Sequence, residues 1–343
     1  MEFGARGLLE IRITPADVGK RVSVRRVHRS PGDTAAFTDT VGLLTSWDEG
    51  EGVLVVTRRT GEAVRIDAAT LVAGKVVPAA PARRRGPAAD YPELARVTAR
   101  AWQPVEHERL GDWELRAAAG FTRRANSVLP LGDPGVPLDE ALALVRKWYE
   151  ARELPAYLQT ATGARGTQEE LCAELEARGW TREVSAEVRI APLTPLATPE
   201  RAAEPPAAVR VERDFDVDWL RRYQRSREPG PEVRQVLATG APGTTVWFAS
   251  VDGEPGAPPL AIGRCVVDGR WAGFMAVEVA PEARRGGLGT AVMAALAGRA
   301  LAQGASAAWL QVEADNAPAL AMYGRAGFTT HHAYHHYRAP GRG

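Results

Sequence analysis

Two stretches rich in proline and alanine limit how this chain of 343 residues can fold. One lies around 78–91, and the other, at 191–208, holds five prolines among its alanines. Such segments bury little apolar surface and favour extended conformations, which is typical of semi-rigid linkers. The chain is also too long for one average domain of about 100–200 residues. We therefore predict folded parts at 1–78, 91–191 and 209–343, with linkers at 79–90 and 192–208.

Composition and charge narrow the class of protein. Hydrophobic residues make up 45% and charged residues 25%, which is ordinary for a folded globular chain. The formal net charge of +1 provides no global field that would attract nucleic acid or an anionic membrane. Cys172 and Cys265 are the only cysteines, and the start of the chain has no signal-peptide core. We expect a cytoplasmic protein with no membrane partner and an unlikely nucleic-acid partner.

The sequence pattern of the first part, 1–78, predicts a small all-β domain. Four runs alternate apolar and polar residues, and turn-forming residues separate them. We expect four or five short strands, and the segment as a whole resembles an SH3-like barrel, although it carries no motif. Its basic residues Arg21, Arg25, Arg26 and Arg29 form a candidate contact for a protein partner or nucleic acid, but no interleaved aromatic residues support nucleic-acid binding.

The second and third parts alternate helices with strands, which predicts α/β layers. They also resemble each other. Tyr157–Thr160 and a following helix that ends in Gly179–Trp180 match Trp309–Val312 and a helix that ends in Gly327–Phe328. The spacing from Leu158 to Trp180 is 22 residues, and that from Leu310 to Phe328 is 18. We interpret this match as a diverged internal duplication.

The most informative window runs from Val277 to Met293. A predicted strand ends near Pro281, a turn rich in glycine and arginine follows, and a helix begins at Leu288. Such a turn points unpaired backbone N–H groups and the positive end of a helix dipole at one place, which favours phosphate. The alternative is a solvated basic turn before a surface helix. The pattern lacks the Gly-Lys-Ser/Thr of a P-loop and the acidic residue of a dinucleotide site.

The same window, Val279-x-Pro281-x-x-Arg284-x-x-Gly287-x-Gly289, resembles the acetyl-CoA signature of the GNAT N-acetyltransferases. A second match follows in Leu310–Phe328, so the resemblance covers roughly 209–338. It implies the mixed-sheet GNAT fold, with acetyl-CoA as the acyl donor. The residues that it assigns to the donor are Val279, Arg284, Arg285, Gly286, Gly287, Gly289, Thr290 and Asn316, with the backbone of 278–280 along the pantetheine arm.

The resemblance also implies a chemistry. Tyr323 would be the general acid that protonates the departing thiolate, and a tyrosine suits this role because its hydroxyl stays protonated at neutral pH. An amine acceptor must lose a proton before it attacks, so a carboxylate or a histidine near the predicted strand at 271–280 is expected as the general base, acting directly or through water. Glu278 is the first candidate and Glu313 the second. Each of these three residues has a plain alternative as a solvated surface group.

Four of the six histidines lie between His331 and His336. Helical spacing would make His331 and His335 metal ligands, but the segment predicts a strand, and no cysteine or acidic residue completes a set. We therefore predict no metal site. Rings from this segment are instead candidates for the edge of an acceptor pocket.

The second part lacks the features of the third. Its corresponding turn carries Pro134 and Pro137 and no arginine, and proline supplies no N–H group. We therefore expect a degenerate GNAT half that packs against the active half. This layout resembles tandem GNAT proteins such as mycothiol synthase, and an actinobacterial histone-acetyltransferase-like group with a small barrel ahead of tandem halves.

The resemblance implies an acetyl-CoA-dependent N-acetyltransferase that transfers the acetyl group directly to a primary amine through a tetrahedral intermediate. The acceptor is a small molecule or a protein lysine or N-terminus. The alternative is a non-catalytic acyl-CoA-binding regulator whose barrel contacts a partner. Two similar halves in one chain mimic a dimer, which makes a monomer plausible.

Overall fold

A computed structural model of the chain describes residues 11–28, 36–58, 62–77, 87–198, 208–223 and 230–341. The chain divides into two units, Met1–Arg84 and Arg85–Gly343, and the boundary lies within the first predicted linker. No helix in these ranges is both long and apolar enough to span a membrane.

The first unit is a five-stranded antiparallel sheet in the order β4-β3-β2-β1-β5. Alternate residues of its strands, such as Val22, Val24, Leu54 and Val56, point inward and form the core. The prediction of a small β domain with four or five strands is confirmed. On its outer face Arg25 pairs with Asp39, whereas Arg29 lies outside the described residues. The strands are β1 (Arg21–His28), β2 (Ala36–Asp48), β3 (Val53–Thr57), β4 (Ala63–Asp67) and β5 (Leu71–Val76).

The second unit contains a three-stranded sheet, in the order β6-β7-β8, and an eight-stranded sheet. The small sheet consists of β6 (Glu106–Leu110), β7 (Trp113–Ala117) and β8 (Leu129–Pro130). The large sheet consists of β9 (Tyr157–Thr162), β10 (Thr181–Pro192), β11 (Val209–Glu212), β12 (Thr245–Val251), β13 (Ala261–Asp268), β14 (Trp271–Val279), β15 (Ala307–Glu313) and β16 (Thr329–Arg338).

Helices cover the second unit's sheets. They are α1 (Tyr91–Arg100), α2 (Leu138–Glu150), α3 (Glu169–Ala177), α4 (Thr194–Ala197), α5 (Val217–Arg222), α6 (Pro231–Ala238), α7 (Leu288–Ala302) and α8 (Ala317–Arg325). On one face of the large sheet, α1, α5 and α6 enclose one apolar core. On the other face, α4 and α7 enclose a second core, with α8 packed at its margin.

The two predicted halves are interleaved rather than simply packed together. The large sheet has the order β11-β12-β13-β14-β15-β10-β16-β9. The last strand of the first half, β10, therefore pairs with β15 on one side and with β16 on the other. In turn β16, the last strand of the second half, also pairs with β9. Each half thus completes its sheet with a strand from the other half.

Two expectations about the division of the chain need correction. The start of the predicted second linker is folded, because Leu193 and Leu196 are buried against α7 and 194–197 form α4; residues 199–207 lie outside the described part. Helix α1, which we assigned to the first half, covers the sheet of the second half. Its Glu93 accepts hydrogen bonds from Trp271 and Arg270 at the start of β14.

The geometry of the second unit is consistent with the internal match found in the sequence. Val128 and Leu158 of the first half form a parallel bridge. At the corresponding place in the second half, β14 and β15 also pair in parallel. Helices α3 and α8 both end at a glycine with positive φ, 75° at Gly179 and 92° at Gly327. In both, the next residue donates its N–H to the carbonyl five residues earlier.

Candidate active site

Strands β14 and β15 separate to leave a slot in the large sheet. They pair in parallel from Trp271 with Ala307 to Phe274 with Leu310, and the described pairing ends there. Just beyond this point β14 carries a bulge, where Ala276 adopts a φ of 52°. Positive φ is strained for a residue with a Cβ and is concentrated at functional sites. Beyond the bulge, Glu278 and Val279 follow the open side of the slot.

The glycine- and arginine-rich turn lies at the end of β14. Residues 281–283 form a short 3-10 turn, Arg285 has a φ of 65°, and Gly287 begins α7 with a φ of 81°. No side chain of the described residues caps the start of α7, so its first-turn amides face outward. Arg284 and Arg285 are exposed beside them. That these amides and arginines hold an anion stays a prediction.

Helix α8 lies against the start of α7. A Cβ at Gly289 would lie 3.5 Å from Val279 Cγ2 and 3.6 Å from Met322 Sδ, so strand, turn and both helices meet here. Next to Met322, Tyr323 is half-buried and meets Phe328 edge to face, with ring centroids 5.9 Å apart. The glycine that we expected to admit a ligand thus also lets α8 approach.

Asn316 has a role that the sequence did not predict. Its side-chain oxygen accepts a hydrogen bond from the Ala319 N–H at 3.2 Å and so caps α8. The same residue lies three positions after the end of β15. Val279, Arg284–Gly287, Gly289, Thr290, Asn316 and Tyr323 therefore form one region around the slot and the α7 start.

The two candidate bases lie on the other face of the sheet. Glu278 pairs with Ile262, and Glu313 pairs with Ala186. Directly opposed residues share a face, and both partners belong to the core under α1, α5 and α6. Glu278 and Glu313 thus flank the slot on the face opposite α7. Both are half-buried, which distinguishes them from fully solvated strand-end charges.

Sequence reasoning missed the residues that the first half adds to this face. Trp102 Nε1 donates to Gln311 Oε1 at 3.3 Å, and Gln311 is the first residue of β15 beyond its pairing with β14. Arg124 donates to the Tyr334 hydroxyl at 2.8 Å and lies over the Trp102 ring. The contacts join residues about two hundred positions apart in sequence, so no local pattern could have indicated them.

Three of the four histidines of β16 hydrogen-bond to other protein groups, whereas both ring nitrogens of the buried His336 have no hydrogen-bond partner among the described residues. His335 bonds to the Ser185 and Thr162 hydroxyls at 2.8 Å each, and His331 bonds to His332 at 2.8 Å. Burial lowers the pKa of His332 to about 3, and His336, also buried, has its pKa lowered well below the usual value. Within the described ranges no group of three or more histidine, cysteine, aspartate or glutamate side chains is arranged to hold a metal ion.

Both cysteines, Cys172 and Cys265, are free and buried. Burial raises the pKa of Cys265 to about 12, so its thiol stays protonated near neutral pH. Cys172 donates to the Thr160 hydroxyl at 3.2 Å. Cys265 therefore offers no thiolate for covalent catalysis.

The first half closes the position that corresponds to the slot. The Gln168 side chain donates to the Pro130 carbonyl after β8 and accepts from the Ala161 N–H of β9 at 3.0 Å. The Tyr91 hydroxyl donates to the same side-chain oxygen, Gln168 Oε1, at 2.8 Å. Helix α2 then begins after Pro137, with Asp139 and Glu140 in its first turn. A bridged gap and an acidic helix start are both unfavourable for an anionic donor.

Comparisons with known proteins agree with this architecture. The profile described as "Probable histone acetyltransferase Rv0428c C-terminal" matches residues 88–337, and the profile "Rv0428c N-terminal Sm-like domain" matches residues 16–75. The "Probable histone acetyltransferase Rv0428c" of Mycobacterium tuberculosis is 29% identical over 322 residues, which covers 92% of this chain and 93% of that protein.

Two solved structures show a similar fold. A GCN5-related N-acetyltransferase from Kribbella flavida is 18% identical, with a TM-score of 0.52, and the match covers 74% of this chain and 98% of that one. A tandem GNAT protein from the clavulanic acid biosynthesis pathway is 14% identical, with a TM-score of 0.53 and coverage of 76% and 92%. The predicted GNAT fold of the α/β part is thereby confirmed.

Proposed function

The chain belongs to the Rv0428c-like acetyltransferase family and is an acyltransferase, and from this premise we propose that its second half transfers an acetyl group from acetyl-CoA to a primary amine. One observation carries the proposal: the slot between β14 and β15 opens directly onto the uncapped start of α7. An extended acyl donor with a diphosphate at one end matches an open strand edge followed by a cluster of N–H groups.

The residues around the slot fit such a donor. Apart from its immediate chain neighbours and the backbone of its own helix, no described residue has an atom within 4 Å of the place a Cβ would occupy on Gly287, so the backbone there is accessible to a bulky anion. The exposed guanidinium groups of Arg284 and Arg285 add positive charge. The donor supplies a thioester whose acyl carbon is open to attack. The chain's part is to hold the diphosphate at 284–290 and to align the pantetheine arm along 278–280.

The two proton transfers are assigned to side chains on opposite faces of the slot. Tyr323, beside the α7 start, is proposed as the general acid for the thiolate, because a neutral phenol can donate a proton at pH 7. Glu278, on the opposite face, is proposed as the general base for the ammonium of the acceptor, with Glu313 as the second candidate. Transfer is direct, since the protonated Cys265 offers no nucleophile.

The acceptor would approach from the face that carries Glu278 and Glu313. Trp102, Gln311 and the Arg124–Tyr334 pair lie on this face, and two of these four residues come from the first half. The inactive half therefore contributes to acceptor recognition. The relative named as a probable histone acetyltransferase makes a protein lysine one acceptor to test, alongside small amines.

A turnover assay tests the proposal. The full chain is incubated with acetyl-CoA and a panel of amines: polyamines, aminoglycosides, free amino acids, and peptides with lysine or a free N-terminus, including histone tails. Free thiol is measured with a chromogenic reagent. We expect acceptor-dependent thiol release for at least one class. Binding of acetyl-CoA without release across the panel would favour a regulatory protein instead, and absence of binding would contradict the donor site.

A further inference from the structure

A cleft of about 520 Å³ lies in the second unit, and none of the residues around the slot lines it. It is enclosed by α1, by β6 and β7 of the first half, and by the loop near Ala241. Its volume falls within the range of small-molecule sites, roughly 300–1,000 Å³. The charged groups of its wall are four arginines, Arg96, Arg100, Arg109 and Arg116, against two carboxylates, Asp112 and Glu114.

Arg116 is the unusual member of this wall, because it is only 3% exposed. Glu114, two residues earlier on the same strand, interacts with its charge, but no ion pair within 4 Å joins Arg116 to a described carboxylate. Its Nε donates to the Ser127 carbonyl at 2.9 Å, and its Nη2 donates to Ser127 Oγ at 2.9 Å and Gln159 Oε1 at 3.1 Å. All of these acceptors are neutral. No hydrogen bond described for this side chain uses Nη1. A guanidinium stays charged even when buried, so the fold maintains a costly positive charge here.

Other charges of the cleft are already matched. Arg100 pairs with Asp268 at 2.7 Å, and Arg109 lies 3.6 Å from Glu114. The exposed Arg96 has no ion pair with any residue that the structure describes. Among the described residues, Arg264 is the other deeply buried arginine, and it differs from Arg116 because its three guanidinium nitrogens all donate to backbone carbonyls. Arg96 and Arg116 are thus the two cleft arginines without an ion pair to a described residue.

We propose that this cleft is a second ligand site, which binds a small molecule bearing a carboxylate or phosphate group through Arg116 Nη1 and Arg96. Charge-assisted hydrogen bonds from guanidinium to these oxyanions are among the strongest in proteins, and they gain further where water is excluded. The same charges repel an ammonium group. The site is therefore distinct from the place where the amine acceptor meets Glu278.

Calorimetry on the full chain tests this site with inorganic phosphate and succinate as separate probes, at constant ionic strength. Each titration is run with and without saturating acetyl-CoA. We expect one probe to bind with one-to-one stoichiometry in both conditions, and the probe that binds identifies the anion class. Binding that disappears when acetyl-CoA is present would place the anion at the α7 start and overturn the proposal. If neither probe binds with a Kd in the millimolar range or below, the proposal is also overturned.

Variants locate the probe. Arg116→Met should weaken binding at least tenfold, in line with the loss of a charge-assisted bond. Because this variant removes buried hydrogen bonds, Arg96→Ala provides a second measurement at an exposed position, where we expect a loss of roughly threefold to tenfold. Arg146→Ala, on the exposed side of α2, is the matched control and should bind as the parent does. Unchanged affinity in Arg96→Ala would refute the site, whether or not Arg116→Met folds.

Discussion

The two halves of the second unit each place a helix start after a strand and a turn, and the two starts have opposite chemistry. Helix α7 begins at Gly287, after two exposed arginines and with no acidic residue in its first turn. Helix α2 begins after Pro137 with Asp139 and Glu140, and the Gln168 amide bridges the gap beside it. The comparison teaches that two halves of similar fold can differ in the chemistry of a helix start, and under the proposed function this difference decides which half binds the donor.

The largest effect is expected from Tyr323→Phe. The variant keeps the ring against Phe328 but removes the proton donor, so kcat should fall by about 10²–10⁴ while the Kd for acetyl-CoA stays unchanged. Tyr157→Phe is the control in the first half, where the hydroxyl donates to Glu183, and it should leave kcat unchanged. If Tyr323→Phe keeps the parental kcat, Tyr323 is not the general acid, and the proposed catalytic difference between the two halves is wrong.

Gly287→Trp should weaken acetyl-CoA binding by roughly a hundredfold, about 2.7 kcal/mol, because the side chain would cover the amides at the α7 start. The matched control is Gly135→Trp in the corresponding turn of the first half, where φ is 78° against 81° at Gly287. Both changes place a side chain in the left-handed region and should cost about 1–3 kcal/mol of folding stability. Calorimetry should detect weaker acetyl-CoA binding in Gly287→Trp alone. If Gly135→Trp weakens binding and Gly287→Trp does not, the first half, and not the second, holds the donor.

A third prediction concerns β16, the strand on which the halves meet. Burial lowers the pKa of His332 to about 3, so the ring is neutral in the fold, whereas the unfolded chain takes up a proton below about pH 6.5. This contribution to stability is therefore complete above pH 6.5 and should be lost at about 1.4 kcal/mol per pH unit as the pH falls toward 3.

Urea unfolding at pH 7, 5.5 and 4.5 measures this slope. His332→Phe should reduce it, and His107→Gln, an exposed position, should not. Because β10 and β16 tie the halves into one sheet, the second unit should unfold in a single transition. Two separate transitions within that unit would show that the halves are less interdependent than the sheet order implies.

The smallest effect is expected where the first half closes its gap. Gln168→Ala removes a side chain with three partners and should cost about 1–2 kcal/mol in urea unfolding. Asn316→Ala, at the corresponding helix start of the second half, removes a cap and should cost about 1 kcal/mol. The stoichiometry of acetyl-CoA should remain one per chain in Gln168→Ala. Binding of a second molecule would mean that the bridge, and not the turn, excludes the donor.

What the sequence predicted well is what local pattern encodes. The strand that ends near Pro281, the turn after it and the start of α7 at Leu288 were predicted and found, because hydrophobic period and glycine placement are short-range signals. The segment at 192–198 misled because proline is common both in linkers and in the first turn of a helix, as Pro195 is in α4. The two apolar residues Leu193 and Leu196 were the missed signal.

Partners far apart in sequence escaped prediction for a physical reason. Strand character follows from alternation, but which strands become neighbours depends on the global packing of the chain. The sequence therefore did not reveal β10 between β15 and β16, nor the Trp102–Gln311 contact beside the slot. A buried arginine such as Arg116 also looks like any strand arginine until its neighbours are known.

The exchange of terminal strands sets a limit on how this protein can evolve. Under the proposed function only one helix start has to hold a donor, so mutation could erase the chemistry of the first half at little cost. Deleting that half is different, because it would take β10 out of the middle of the catalytic sheet and expose two unpaired strand edges. A gene that had fused two copies in this way could let one copy decay in function, yet it could not return to a single copy.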